Sequence, residues 1–598
     1  MSGRAKWSVS RLRDASTARS LAGLLIAGGV IVFLAWPMLF TSAGMAQDWV
    51  NHLWYIWRQS VMIDRDHRPS LFLNDGGSVF YPLYAFYGGT IYALAGALTV
   101  LMGNAPVKAY VASYLMGFTA AYGGWYWLGR IAGLGRWAAQ APALLYISSG
   151  YYLTLIYARG DWPEFIAVST LPLLVASGLS VLRAQQLRIL PALALAGSSL
   201  VFFGSHSITM LWGTTMLIVL AAAIASVVRP GRAIVTRSGL VRVMAVAIPA
   251  ALVNAWYLLP ALAYGQRTAI ATHYEYAQSL RNTSFLVSAG NLFTFSRASA
   301  APDTPDFILA LPVLAIVWVL AGIAISSRQG GASADAVAWR RVLWIVAGLT
   351  LVLGVVMTHA GLILALPRPY TLLQFAYRLE TYVLLGLSAS MLVILTLARS
   401  WPPRWRRGLW AATAVVLVGS AVGAIQQVDG YPKGSNRPIV VVPDRYVVFA
   451  ASNQPPDTAG GLGDYDDASL PLVNPVGVPE VDFPSDRIRG ERVTIPVDLP
   501  VGEMVHTNLA GAPYMVSVTG ARAVGRDPNG HIVLQVTAAP DHAHQQISLS
   551  LSHRLPVVLG RAITLAALAM LLLLLAGWLV RRLRARRDAA DSLGGSPL

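Results

Sequence analysis

Three short stretches bring together side chains that could do chemistry. In "YARGDWPEF" (157 to 165), Arg159 is followed by two carboxylates three residues apart, Asp161 and Glu164. In "AQDWVNHLWYIW" (46 to 57), Asp48 and His52 stand four apart among aromatic rings. In "LLQFAYRLE" (372 to 380), Gln374, Arg378 and Glu380 follow one another at short range. A carboxylate within reach of a hydroxyl is a general base. An arginine is the natural fork for an oxyanion such as phosphate. His206 in "FFGSHSIT", and Arg267, His273 and Glu275 in "GQRTAIATHYEY", extend the set of polar candidates. Each also has a plainer reading. Asp161 and Glu164 could form a capping box at a helix start, Trp49, Trp54, Tyr55 and Trp57 an interfacial aromatic belt, His206 a satisfied structural histidine, and Arg378 a snorkelling cation.

The surroundings sharpen the question. The 598-residue chain is 55% hydrophobic and only 12% charged, with a mean hydropathy of +0.55. Soluble domains carry about 25% charged residues, so this is a polytopic membrane protein. It has no cysteine, which excludes disulfides, thiolate metal sites and thiol nucleophiles. Thirteen apolar runs are candidate spans of about 20 residues: 21–40, 81–102, 109–129, 137–156, 165–182, 189–203, 207–228, 243–264, 306–326, 342–364, 381–398, 409–425 and 555–580.

Charge decides their arrangement. Short cytoplasmic loops are enriched in Lys and Arg, and if 81–102, rich in glycine, lies along the outer surface instead of crossing, every basic loop falls on one side. That side, with both termini, then holds 25 of the 45 Lys and Arg and only four acids, Asp14, Asp335, Asp588 and Asp591. The net charge of +17 is thereby a topological signal, and no nucleic-acid partner is needed to explain it. Twelve spans follow, the first of them a retained helix at 21–40, and all the candidate site residues fall at the outer face. Residues 1–425 are expected to form the transmembrane domain. Residues 426–554, rich in Pro, Gly and Asp with Val-rich alternating runs such as "ERVTIPVDL" and "HIVLQVTA", read as an extracytoplasmic β-sandwich. A final helix at 555–580 and a basic cytoplasmic tail at 581–598 complete the chain.

This pattern resembles the GT-C superfamily of membrane glycosyltransferases: an acid early in a long first outer loop (Asp48), a membrane-parallel helix later in it (81–102), and a second acidic loop ("YARGDWPEF") after the third helix. More closely, "SLFLNDGGSVFYPLY", the "RG" ahead of Glu164, "SHS", "LLQFAYRLE" and "NLAGAPYMVSVTG … DPNGHIVLQV" resemble the bacterial proteins with a 6-pyruvoyl-tetrahydropterin-synthase-related membrane domain and their YfhO-like relatives. The chain departs from other GT-C enzymes in lacking a second Asp directly beside Asp48. The resemblance implies an inverting glycosyltransferase of the bacterial inner membrane, moving a sugar from a polyprenyl-phosphate donor to an extracytoplasmic glycan, lipid or protein acceptor. Asp48, Asp161 and Glu164 would be catalytic, and His52, Arg159, His206, Arg267, His273, Glu275, Gln374 and Arg378 would bind substrate. Trp49, Trp54 and Trp162 would suit stacking on a sugar. No metal is firmly assigned, though a divalent cation is possible at the acids. A flippase for lipid-linked glycan and a non-catalytic envelope-assembly protein are the competing readings.

Overall fold

The computed structural model describes residues 22–40, 48–74, 80–157, 159–227, 236–268, 313–328, 333–371, 373, 375–434, 469–481, 488–489, 491–510, 514–528, 530–537 and 546–594. The chain is mostly helical, with a small sheet region near its C-terminal end. Among the described residues six helices are long and apolar enough to cross a membrane: Trp162–Arg183, Ser207–Ser226, Ala334–Val356, Ala376–Ser400, Pro403–Ile425 and Leu555–Ala585. A bent pair, Arg237–Leu252 with Ala255–Arg267, makes a seventh if counted as one span. Five shorter apolar helices accompany them, Gly89–Leu101 and Ile189–Phe203 among these. The protein is a membrane protein on this count as well as on composition.

Several runs read as single spans are broken, 137–156 and 243–264 among them. The run 137–156 divides into Ala141–Ile147 and Gly150–Tyr157. At the break, Ser148 and Ser149 turn their hydroxyls back onto the carbonyls of Leu144 and Tyr146, and backbone bonding of this kind bends helices. The run 243–264 bends by 67° at Val253–Asn254, where Pro249 and Pro260 each remove a helix donor. The helix Trp49–Asp66, 18 residues long, has no counterpart among the predicted runs. Its apolar positions Leu53, Trp54, Ile56 and Met62 are buried while Asp64, Arg65 and Asp66 lie at its far end. A helix so polar on one side falls below any spanning threshold.

Small residues let these elements approach closely, as they do wherever helices pack in lipid. Gly96 of Gly89–Leu101 rests on the backbone of Gln59 and Ser60, so that helix lies along Trp49–Asp66. Gly117 and Gly124 of Pro106–Ile131 face Phe165 and the Pro172–Leu173 backbone, clamping that helix to Trp162–Arg183.

The sheet region holds two four-stranded sheets. One runs Ile488–Arg489, Arg492–Pro496, Gln546–Leu551, Val516–Thr519, all antiparallel. The other runs Glu480–Val481, Met504–Ala510, His531–Val536, Ala521–Arg526, its first pair parallel. Val493, Ile495 and Leu549 of the first share one buried core with Val505, Ile532 and Leu534 of the second. The same core takes in Leu71, Phe72, Trp256 and Tyr257 from the helical part. Glu491 fastens the junction: its carboxylate accepts from Arg561 at 2.6 and 2.7 Å and from the Leu71 N–H at 3.2 Å.

Candidate active site

The turn between Gly150–Tyr157 and Trp162–Arg183 builds the centre of the site. The Arg159 N–H donates back to Thr154 O, and Gly160 takes a left-handed φ of 65° that a side chain would oppose. The chain thus reverses within four residues and starts the next helix with Asp161 at its N-cap. Asp161 Oδ1 accepts the Glu164 N–H at 3.1 Å, so the cap forms. Glu164 does not close the reciprocal half of a capping box. Its carboxylate turns instead to Tyr151, whose hydroxyl donates to Oε1 at 2.9 Å, and to Arg159, whose Nη1 donates to Oε2 at 3.1 Å.

A second arginine arrives from 217 residues away in sequence. The single turn Ala376–Leu379 presents Arg378, and the four side chains alternate in a closed ring. Arg159 Nη2 stands 2.7 Å from Asp161 Oδ2, Arg378 Nη2 3.4 Å from the same oxygen, and Arg378 Nε 3.3 Å from Glu164 Oε2. All four residues are buried. Charge-assisted bonds of this type settle at about 2.7–2.9 Å. Arg159 is therefore tightly held and Arg378 loosely, with its Nε making no hydrogen bond of acceptable geometry. Phe375 lies under both guanidiniums, at 5.7 and 5.5 Å, and is stacked on Tyr377 at 5.1 Å. Glu380, two residues past Arg378, is fully enclosed, and neither of its carboxylate oxygens has a hydrogen-bond partner among the described residues.

Asp48 meets this ring through the backbone: its N–H donates to Arg159 O at 2.9 Å. It is the N-cap residue of Trp49–Asp66, yet its side chain caps nothing. Half-buried, the carboxylate has no ion pair among the described residues. Burial pushes it up to about 6; Asp161 adds to the rise, and Arg159 and Arg378 oppose it. Asp161 behaves in the opposite way. Burial would raise it, but the charges of Arg159 and Arg378 hold it below the usual carboxylate range.

Two imidazoles border the cluster. His52 Nδ1 is 2.6 Å from the Tyr92 hydroxyl, and its ring stacks on Tyr87 at 5.9 Å. His206 sits in the break between Ile189–Phe203 and Ser207–Val227, with Nε2 3.4 Å from Arg378 Nη1 and Nδ1 2.9 Å from the Thr209 hydroxyl. Burial lowers them to about 4 and about 3 respectively, so both are neutral at physiological pH.

Asp48, His52, Arg159, Asp161, Glu164, His206 and Arg378 are thus brought together. Arg267 is exposed, and its described contacts lie on the sheet side, with Ser469 at 3.4 Å and the Tyr514 ring at 5.8 Å. His273, Glu275 and Gln374 lie outside the described residues. Trp49, Trp54 and Trp162 do not offer a face for stacking: all three are packed into the helical core, Trp162 with its indole N–H given to Ser113 at 2.7 Å. Their burial follows from their positions on inward faces of two packed helices. Tyr151, Phe375 and Tyr377 were not legible as site residues. Tyr151 sits in the apolar run 137–156, whereas Phe375 and Tyr377 stand beside Arg378 in "LLQFAYRLE", and their contacts with Glu164 and Arg159 give them a role.

Asp161, Glu164 and His206 offer ligand atoms all within 4.8 Å of one another, as a divalent cation would require. The donor set does not fit one. Both carboxylate oxygens that face inward already face two guanidiniums each, and guanidinium does not give up its proton to make room.

No protein-family model matches the chain, and no curated protein matches it. Among solved structures it superposes on arabinofuranosyltransferase AftD from Mycobacteria with a TM-score of 0.44 and 15% identity, over 68% of this chain and 27% of that one. It superposes on the oligosaccharyltransferase AglB from Archaeoglobus fulgidus, solved with an inhibitory peptide and a dolichol-phosphate, with a TM-score of 0.43 and 14% identity, over 77% and 62%. A structure of the Archaeoglobus fulgidus oligosaccharyltransferase with Zn and sulfate gives 0.40 and 14%, over 77% and 60%. The chain spans about a quarter of the first protein and about three-fifths of the other two.

Proposed function

We propose that this protein is an inverting glycosyltransferase that moves a sugar from a polyprenyl-phosphate donor to an acceptor hydroxyl at the outer membrane surface. The observation that carries the reading is the contrast among three acids in one cluster. Asp161 and Glu164 are neutralised by Arg159 and Arg378, whereas Asp48 is partly open, unpaired among the described residues and raised to about 6. A base is most effective when its pKa lies close to the working pH.

In this reaction Asp48 takes the proton of the acceptor hydroxyl as that oxygen attacks the anomeric carbon from the face opposite the phosphate. The anomeric C–O bond breaks, its electron pair stays on the departing prenyl phosphate, and the proton carried by Asp48 passes to water. Arg378, held only at 3.3–3.4 Å, is the cation able to turn toward the phosphate. Arg159 keeps Asp161 and Glu164 in place meanwhile. Neutral His52 and His206 could orient hydroxyl groups without adding charge. The apolar helices beside the cluster give the prenyl chain a lipid-facing surface.

The test is transfer in proteoliposomes from synthetic prenyl-phosphate sugars. Wild-type protein should form glycoside and release prenyl phosphate, and Asp48→Asn should fold normally and form none. Full activity in Asp48→Asn would remove that residue from the role. Movement of an intact lipid-linked glycan between leaflets, with no new glycosidic bond, would establish a transporter instead.

A further inference from the structure

We propose that His506, Asp527 and His531 form a divalent transition-metal site of the Zn2+ type on the sheet region, separate from the cluster in the helices. The fold brings the three together from different places. His506 is opposite Val533 on the neighbouring strand, and His531, two residues before Val533, shares its face, so the two imidazoles are diagonal neighbours. Asp527 directly follows the strand Ala521–Arg526 and opens the turn that leads into His531. Gly530 closes that turn at φ 86°, with its N–H on Asp527 O at 3.1 Å.

The geometry is that of a ligand set. His506 Nε2 and His531 Nδ1 each lie 3.1 Å from the same oxygen, Asp527 Oδ2. All three ligand atoms fall within 4.8 Å of one another. With bonds of about 2.0–2.1 Å, the edge of a tetrahedron around zinc is roughly 3.3 Å, so the two edges that run from Asp527 Oδ2 to the imidazoles, at 3.1 Å, already match it. The other carboxylate oxygen accepts the His531 N–H at 2.7 Å, which fixes the plane of the carboxylate as an outer-shell bond does in metal proteins. Asp527 is only 3% exposed, while the histidine side chains are 15% and 28% exposed, leaving one side open for a water or a fourth ligand.

The donor types choose the class of ion. Two imidazoles and one carboxylate suit Zn2+, Ni2+ or Cu2+, whereas Mg2+ and Ca2+ prefer all-oxygen sites. An imidazole, unlike a guanidinium, offers a ring-nitrogen lone pair to a metal ion. Metal entry therefore replaces two N–H···O bonds with two N–metal bonds and releases at most the protons those nitrogens carry. The ion would tie the 527–530 turn to the strand Met504–Ala510.

Full-length protein without a polyhistidine tag, stripped with EDTA and dialysed against micromolar Zn2+, should retain about one zinc per chain by mass spectrometry. His506→Ala and His531→Ala should each lose it, and Glu164→Gln should keep it. Co2+ loading of the wild type should give the visible absorption of a tetrahedral complex, a readout that requires no variant. Zinc unchanged in both histidine variants, or lost only in Glu164→Gln, overturns the site, as does a wild type that binds neither ion.

Discussion

Two clusters of ionisable side chains in this molecule are built on the same motif, a carboxylate facing two nitrogen bases, and their chemistry differs. In the helical region the bases are guanidiniums that remain charged at any physiological pH, and Asp161 and Glu164 are each paired with both of them. In the sheet region the bases are imidazoles, and Asp527 is held low by the His531 N–H and by both rings although burial opposes it. A ring of fixed charges closes a site to cations. A pair of imidazoles leaves the carboxylate open to exchange. The identity of the partner, more than the acid itself, decides which ligands a cluster can accept.

The comparison can be broken at several points. The largest effect belongs to Asp48→Asn, which should lower transfer by about 10²-fold or more while leaving helix content and elution profile unchanged. Because the carboxyl rises from 3.8 to about 6 on folding, the folded state binds its proton more tightly than the unfolded chain does. That contribution to stability is present at low pH and lost as pH passes through about 6. Asp48→Asn should therefore be neutral or gain about 1 kcal/mol at pH 7, read from unfolding in detergent.

Next in size is Arg159→Met. Leaving buried carboxylates without their closer partner costs about 3–5 kcal/mol, visible as loss of the folded fraction on denaturant titration. Arg378→Met should destabilise less, because its pairs are longer, yet should depress transfer more than it depresses stability. Equal stability losses in the two variants would contradict the distinction between a structural and a substrate-facing arginine.

Smaller still is the pH response of the wild type. Activity should be flat above about pH 7 and fall close to tenfold per unit below about 6 as Asp48 takes up its proton. A profile governed by an inflection near 4 would point to His52 instead. The smallest effect is in the sheets: Zn2+ should raise the melting temperature of the wild type by a few degrees through preferential binding to the folded state and leave His531→Ala unmoved.

Much of the fold was legible in the chain. The apolar runs at 165–182, 189–203, 207–228 and 381–398 reappear as helices Trp162–Arg183, Ile189–Phe203, Ser207–Val227 and Glu380–Leu397. The strands predicted from Val-rich alternation at "ERVTIPVDL" and "HIVLQVTA" are present as Arg492–Pro496 and His531–Val536. Hydropathy and period-two alternation report local burial, so they survive without knowledge of the rest. The breaks at Ser148–Ser149 and Val253–Asn254 and the amphipathic helix Trp49–Asp66 were not legible, because each depends on what packs alongside.

By itself the sequence determined that the protein lives in a membrane and which short segments carry acids, arginines and histidines, since these follow from composition and spacing. Only the tertiary structure decided which acid is paired and which is not. Arg378 reaches Asp161 across 217 residues, and His506 meets Asp527 across 21. The field at a carboxylate is set by neighbours in space, and no local pattern in the chain encodes them.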